Sequence, residues 1–265
     1  MNPMLNIAIR AAHRAGDFIE RSLELCDTLD VTSKSHNDFV SDVDRHAERE
    51  IIDTLKKAYP EHAILAEESG LQEGNEYQWI IDPLDGTTNF LHGFPQFAVS
   101  IALMHKERLE VAVIYDPMRR ETFTASRGGG AKLNDRKLRV TKRRSLEGAL
   151  LGTGFPYSDF SYLDSYMKTL EALIPKTAGI RRPGSAALDL AYVAAGRIDG
   201  FWEFNLQPWD IAAGTLIIQE AGGIVTDFAG GENYLKSGNI IAGSPKVFHG
   251  ILSTIKPLLP ENLQR

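Results

Sequence analysis

The sequence predicts an α+β protein in two parts, on three observations. Two amphipathic helical stretches open the chain, strands with very short connections fill its middle, and strands alternating with helices occupy the rest. The texture changes after TKRRSLEG, so the expected units are residues 1–145 and 146–265. A chain of 265 residues, 43% hydrophobic and 24% charged, has ordinary globular composition and can bury a large core.

From Leu5 to Leu25 apolar residues recur at helical spacing. From Ser41 to Tyr59 the positions Val43, Ala47, Ile51, Leu55 and Ala58 step by three or four, and Pro60 stops the second helix. Between them lies VTSKSHNDFVSDVD, polar and acidic. AILAEESG reads as a short strand ending in Glu67 and Glu68, and GLQEGNEYQ as a polar loop. AVSIALMH, LEVAVIYD, ETFTAS and KLRV then read as strands, and their short connections favour antiparallel neighbours. In the second part ALLGTGF, FWEF, GGIVTDF and NIIAGS read as strands. Residues near 160–174, GSAALDLAYVAAG, WDIAAGTLIIQEAGG and the stretch from Val247 read as helices.

Composition removes several function classes. The formal charge is −6, and the basic pairs Arg119-Arg120, Arg143-Arg144 and Arg181-Arg182 are scattered, which disfavours a nucleic-acid-coating surface. A single cysteine, Cys26, excludes an intrachain disulfide, suits a reducing compartment, and reads as a packed thiol. Arg10, Arg14 and Asp17 interrupt the opening stretch before a signal-like run is complete, and no stretch reaches the length of a membrane span. The expectation is a soluble cytoplasmic protein.

The segment W-I-I-D-P-L-D-G-T-T-N-F, residues 79–90, ends an apolar run in two carboxylates. Pro83 fixes its own φ and pushes Asp82 into extended geometry, so Asp82 to Asp85 fits a type I turn. Asp85 then reads equally as a cap for a helix starting near Thr87 and as half of a working site. Like charges held together at such a bend are costly unless a cation neutralises them, and Mg²⁺ takes oxygen ligands. Other apolar segments also end in acid: Glu67 closes one strand, and Asp210 opens a helix, where a carboxylate is favourable. Singly these are strand ends, turns and caps; together they form a site for two or three Mg²⁺ ions. Gly86 and Thr87 then read as a seat for a phosphate at a helix start, and metals with an anion seat point to phosphoryl chemistry. The sequence has no Walker loop, dinucleotide fingerprint, nucleophile elbow or H-E-x-x-H.

E-E-S-G at 67–70, W-I-I-D-P-L-D-G-T-T-N-F-L-H at 79–92 and W-D-I-A-A-G-T-L-I-I-Q-E-A-G-G at 209–223 resemble the signature segments of the inositol monophosphatase family. MNPMLNIAIRAA and GSAALDLAYVAAGR resemble its bacterial branch, some members of which also serve as Nus factors in ribosomal RNA transcription antitermination. The resemblance implies a layered αβαβα sandwich, a homodimer, and a Mg²⁺-dependent, lithium-sensitive phosphatase acting on inositol monophosphates and similar small polyol phosphates. Glu67, Asp82 and the Leu84 carbonyl would bind one Mg²⁺; Asp82, Asp85 and Asp210 a second; Glu67 would help hold a weaker third. Asp44, closing DFVSDVD, would act with the Thr87 hydroxyl to orient and deprotonate the attacking water, without a phosphoenzyme. Gly86 and Thr87 would seat the phosphate, while Asp85, Ala186, Glu203 and Asp210 would line the substrate site. Lys34 falls near the third metal region, and the TGFP turn at 153–156 where the substrate ring rests. Two alternatives stay open: the same chemistry on fructose 1,6-bisphosphate or a nucleotide 3′,5′-bisphosphate, and a non-catalytic role binding transcription antitermination proteins and RNA polymerase. A surface around Arg181-Arg182 would serve that second role.

Overall fold

The computed structural model describes residues 2–23, 31–35, 38–156 and 159–264, with the backbone alone along 31–41. Cys26 and the Lys34 side chain lie outside the described residues. Helix α1 (Pro3–Ser22) starts where the Asn2 side chain accepts a hydrogen bond from the Met4 N–H, with proline at its first position. A hairpin of β1 (Val31–Ser35) and β2 (Asp38–Ser41), in the polar and acidic stretch between the helices, leads into α2 (Asp42–Ala58).

Next come β3 (Ala63–Ala66), β4 (Gly70–Gln72), β5 (Tyr77–Asp85), the short helix α3 (Thr87–Leu91) and β6 (Ala98–His105). Strands β7 (Arg108–Asp116), β8 (Glu121–Ser126), β9 (Gly130–Leu133) and β10 (Arg136–Lys137) complete an eight-stranded sheet, ordered β10-β9-β8-β7-β6-β5-β3-β4. Its pairs are antiparallel except β3 with β5. Part of the loop expected at GLQEGNEYQ is therefore the edge strand β4, and the strand expected at KLRV shrinks to the two residues of β10.

The second part holds β11 (Leu150–Thr153), α4 (Leu163–Leu173), β12 (Gly179–Arg181), α5 (Ala186–Ala194), β13 (Gly200–Glu203) and α6 (Pro208–Glu220). It closes with β14 (Ile224–Thr226), α7 (Tyr234–Ser237), β15 (Ile240–Gly243) and α8 (Pro245–Ile255). Its five strands are ordered β12-β11-β13-β15-β14, parallel around β11 and antiparallel around β15.

Strand alternation divides the interior. In β6, Val99, Ile101 and Leu103 pack with the alanine-rich face of α1 and with α2, whereas Ala98 and Ala102 face α5 and α6. In the second sheet Phe201, Ile240 and Ala242 join that same central core, while Trp202 and Ile241 turn outward to meet α8 and Tyr166 of α4. The layers run helix, sheet, helix, sheet, helix, which is the αβαβα sandwich. Helix α6 lies between the sheets and is buried along Ile211–Ile218, so it shows no polar face in that span.

Candidate metal and substrate site

Strand β5 brings the first two carboxylates together by a route other than the expected turn. Asp82 pairs with Ser100 and Asp85 with Ala98, so three steps along β5 oppose two along β6. That is a bulge at Pro83-Leu84, where the proline has no N–H to give the ladder. Residues three apart on a regular strand point to opposite faces; the extra residue resets the alternation and turns both acids to the face covered by α6. The Ser100 hydroxyl on that face donates to the Trp209 carbonyl, which fixes the start of α6 beside them.

Asp210 comes from the first turn of α6, and one of its oxygens accepts the Gln207 N–H at 2.7 Å. Asp82, Asp85 and Asp210 each bring a carboxylate oxygen within 4.8 Å of the others. Glu67 follows β3 directly; its N–H bonds the Ile81 carbonyl, which sets it beside Asp82. The turn after Glu67 is held by Glu48 of α2, whose carboxylate accepts the N–H groups of Glu68 and Ser69 at 2.8 and 3.0 Å.

Asp85 does not cap α3. Its Oδ2 accepts the Ser185 hydroxyl and the Ala187 N–H, both at 2.7 Å, so it caps α5 and ties the two parts of the chain together. Gly86 stands at the N-cap of α3 with φ 99°, and a Cβ there would lie 2.8 Å from the Gln96 carbonyl oxygen. Only glycine meets both demands. The Thr87 hydroxyl donates to the Leu84 carbonyl at 3.0 Å. The Asn89 amide donates to the carbonyls of Gln96 and Pro183 at 2.7 and 2.9 Å, pinning the loop that follows α3 against the one before α5.

These groups line a cleft of about 300 Å³, with Glu67, Asp82, Leu84, Asp85 and Asp210 at one end. Ala186, Asp189 and Glu203 line it too, with Thr153 and Gly154 of the TGFP turn. Arg182 is the one cationic side chain in its lining among the described residues, and its guanidinium sits 4.8 Å from the Phe155 ring. Asp44 is 2% exposed in the first turn of α2 and does not line the cleft.

Burial governs the electrostatics. It drives Asp82 well above the ordinary carboxylate range, reinforced by the charges of Glu67, Asp85 and Asp210. Asp210 is raised well above that range by burial and then by Asp85. Asp85 rises to about 6, burial outweighing its bonds from Ser185 and Ala187. Glu203 is pushed up to about 8 by burial, against the opposing charge of Arg182. Three acids within 4.8 Å of one another, Asp82, Asp85 and Asp210, in a donor set made only of oxygens, fit a hard divalent cation, whose charge would offset the repulsion among them.

Most of the acids were visible as acidic ends of apolar segments. Glu48, Ser185 and Asp189 are not singled out by the sequence, and Arg182 stands out there as half of a basic pair, not as a residue of the cleft. Ser185 had a signal as the polar residue opening an apolar helix, and Asp189 as the lone charge inside one.

The model of the inositol monophosphatase family matches residues 1–258. The chain is 58% identical over 271 residues to a Nus factor SuhB of Pseudomonas aeruginosa, covering all of both chains. It matches the crystal structure of the extragenic suppressor protein suhB from Bartonella henselae with a TM-score of 0.94 and 46% identity, over 96% of this chain and 99% of that one. An inositol monophosphatase from Anabaena matches with a TM-score of 0.83 and 36% identity, over 97% of each chain.

Proposed function

The chain belongs to the inositol monophosphatase family, and on that premise we propose that it is a Mg²⁺-dependent phosphomonoesterase for inositol monophosphates and similar small polyol phosphates. The observation that carries this reading is the convergence of Asp82, Asp85 and Asp210 within 4.8 Å, at one end of a cleft whose lining also includes Glu203. In this reading Glu67, Asp82 and the Leu84 carbonyl hold one Mg²⁺, Asp82, Asp85 and Asp210 a second, and Glu67 contributes to a weaker third. Once bound, the ions supply charge stabilisation for the phosphoryl oxygens and a nucleophile at neutral pH.

The protein's own groups do the positioning. Thr87 has its hydroxyl on the Leu84 carbonyl, at the metal end, from where it orients the attacking water. Asp44, on the helix that packs against β5, receives the proton through Thr87. Gly86 and Thr87 hold the phosphate, and Ala186 and Glu203 meet the polyol, with Asp85 and Asp210 at the junction. With one cation, Arg182, in the cleft lining among the described residues, a single phosphate beside the acid cluster is favoured over the bisphosphates. The test is phosphate release from inositol 1-phosphate with and without Mg²⁺, on the wild type and Asp82→Asn. Replacing a direct ligand is expected to cost more than about a hundredfold, the upper range for groups one shell out. Wild-type protein inert on inositol 1-phosphate and on other small phosphomonoesters would overturn the reading.

The relative named a Nus factor favours a second reading, in which the protein, as a monomer or dimer, binds transcription antitermination proteins and RNA polymerase. Arg181 is exposed at the end of the edge strand β12, outside the cleft lining. Arg181→Glu is expected to remove partner binding in a pull-down while leaving phosphate release intact; binding unchanged in that variant would exclude this surface.

A further inference from the structure

Helix α5 is apolar throughout AALDLAYVA except at one position, Asp189. An acid in such a helix ordinarily reaches a partner or the solvent. Asp189 is 2% exposed, and its Oδ1 has no hydrogen-bonding partner among the described residues. A buried carboxyl oxygen left without a partner costs free energy that an apolar side chain would not. Its place in the fold gives it a purpose. Ser185, the N-cap whose hydroxyl holds Asp85, lies four residues earlier and therefore on the same helix face. Asp189 continues that face one turn beyond the cluster, into the cleft wall that also carries Glu203 and Gly154. Asp189 and Glu203 thus line the same cleft as the acid cluster, and Arg182 is the cation in that lining among the described residues.

We propose that Asp189 is a specificity-determining residue that hydrogen-bonds a substrate hydroxyl, and that with Glu203 it selects phosphates of polyols bearing neighbouring hydroxyls over simple phosphomonoesters. A hydroxyl both donates and accepts, so one diol can satisfy two adjacent carboxyls whether or not either carries a proton. An ionised phosphate or carboxylate only accepts hydrogen bonds and could not pair with an ionised carboxyl there. The inference rests on the phosphatase reading and names the substrate class of the same site.

The experiment measures KM and kcat for inositol 1-phosphate and for p-nitrophenyl phosphate, at saturating Mg²⁺, on wild type, Asp189→Ala and Asp189→Asn. Thermal melting checks that each variant folds. Asp189→Ala is expected to raise KM for inositol 1-phosphate about tenfold, the worth of one hydrogen bond, with KM for p-nitrophenyl phosphate unchanged. Asp189→Asn keeps a donor and an acceptor at the same size and is expected to stay within about threefold of wild type. If Asp189→Ala does not fold, the comparison passes to Asp189→Asn against Asp189→Leu. Equal losses on both substrates, or no loss on either, would overturn the proposal while leaving the phosphatase reading in place. A wild type inert on both substrates would overturn the two together.

Discussion

Glu203 and Asp85 carry the main electrostatic consequence of the site. Both acids titrate higher when folded than when unfolded: Glu203 near 8 against 4.5, and Asp85 near 6 against 3.8. In that interval the folded protein holds more protons than the unfolded chain, so stability falls as pH rises through it. Metal-free protein is expected to melt at a higher temperature at pH 5 than at pH 9, and Mg²⁺ to recover part of the loss at pH 9 because it replaces the departed protons. A metal-free melting temperature that climbed between those values would contradict the assignment. Gly154 supplies a second prediction, since a Cβ there would lie 1.9 Å from Glu203 Oε1. Gly154→Ala must displace a buried carboxyl, and kcat/KM for inositol 1-phosphate is expected to fall by about tenfold or more. At this scale the sequence was informative about residue type and poor about partners. Asp82, Asp85, Glu67 and Asp210 stood out as acids ending apolar segments. That Asp85 reaches 100 residues onward to Ser185 is a tertiary fact with no local signal.

Among the elements, β5 shows why local reading reached the right residues by the wrong geometry. Asp-Pro-Leu-Asp is good turn chemistry, but β6 supplies a partner strand on one side and β3 on the other. Pairing therefore carries β5 through to Asp85, with the proline absorbed in a bulge. Periodicity marked the long helices α1 and α2 to within a few residues, because each has one apolar face. It could not say that α6 lies between two sheets, although a helix with no polar face from Ile211 to Ile218 demands burial on all sides. The packing of α5 on α6 can be tested at Gly214, where a Cβ would sit 2.5 Å from Leu190 Cβ. Gly214→Ala is expected to destabilise the protein by about 1–3 kcal/mol, as overpacking does, despite the better helix propensity of alanine. Urea unfolding measures this; an unchanged midpoint would show that the two helices can separate at no cost.

For the molecule as a whole, the αβαβα order is what makes a site from distant segments. The eight-stranded sheet presents Glu67, Asp82 and Asp85, the middle helix layer adds Asp189 and Asp210, and the five-stranded sheet adds Glu203. The change from antiparallel strands to alternating strands and helices is visible in the sequence, but not how the eight-stranded and five-stranded sheets face each other. That depends on the central core, where Ile80 and Ala98 of one sheet and Phe201 and Ala242 of the other close on the same helices. The described residues include no helix long and apolar enough to cross a membrane. In the proposed function this architecture assembles acids to hold divalent cations. The most direct measurement is a Mg²⁺ titration of metal-free protein at pH 8, followed by melting temperature, on wild type and Asp210→Asn. The account predicts a rise with Mg²⁺ concentration in the wild type, as expected for a ligand bound by the folded state alone, and a much smaller rise in the variant. Equal curves for the two proteins, or no rise in either, would contradict it.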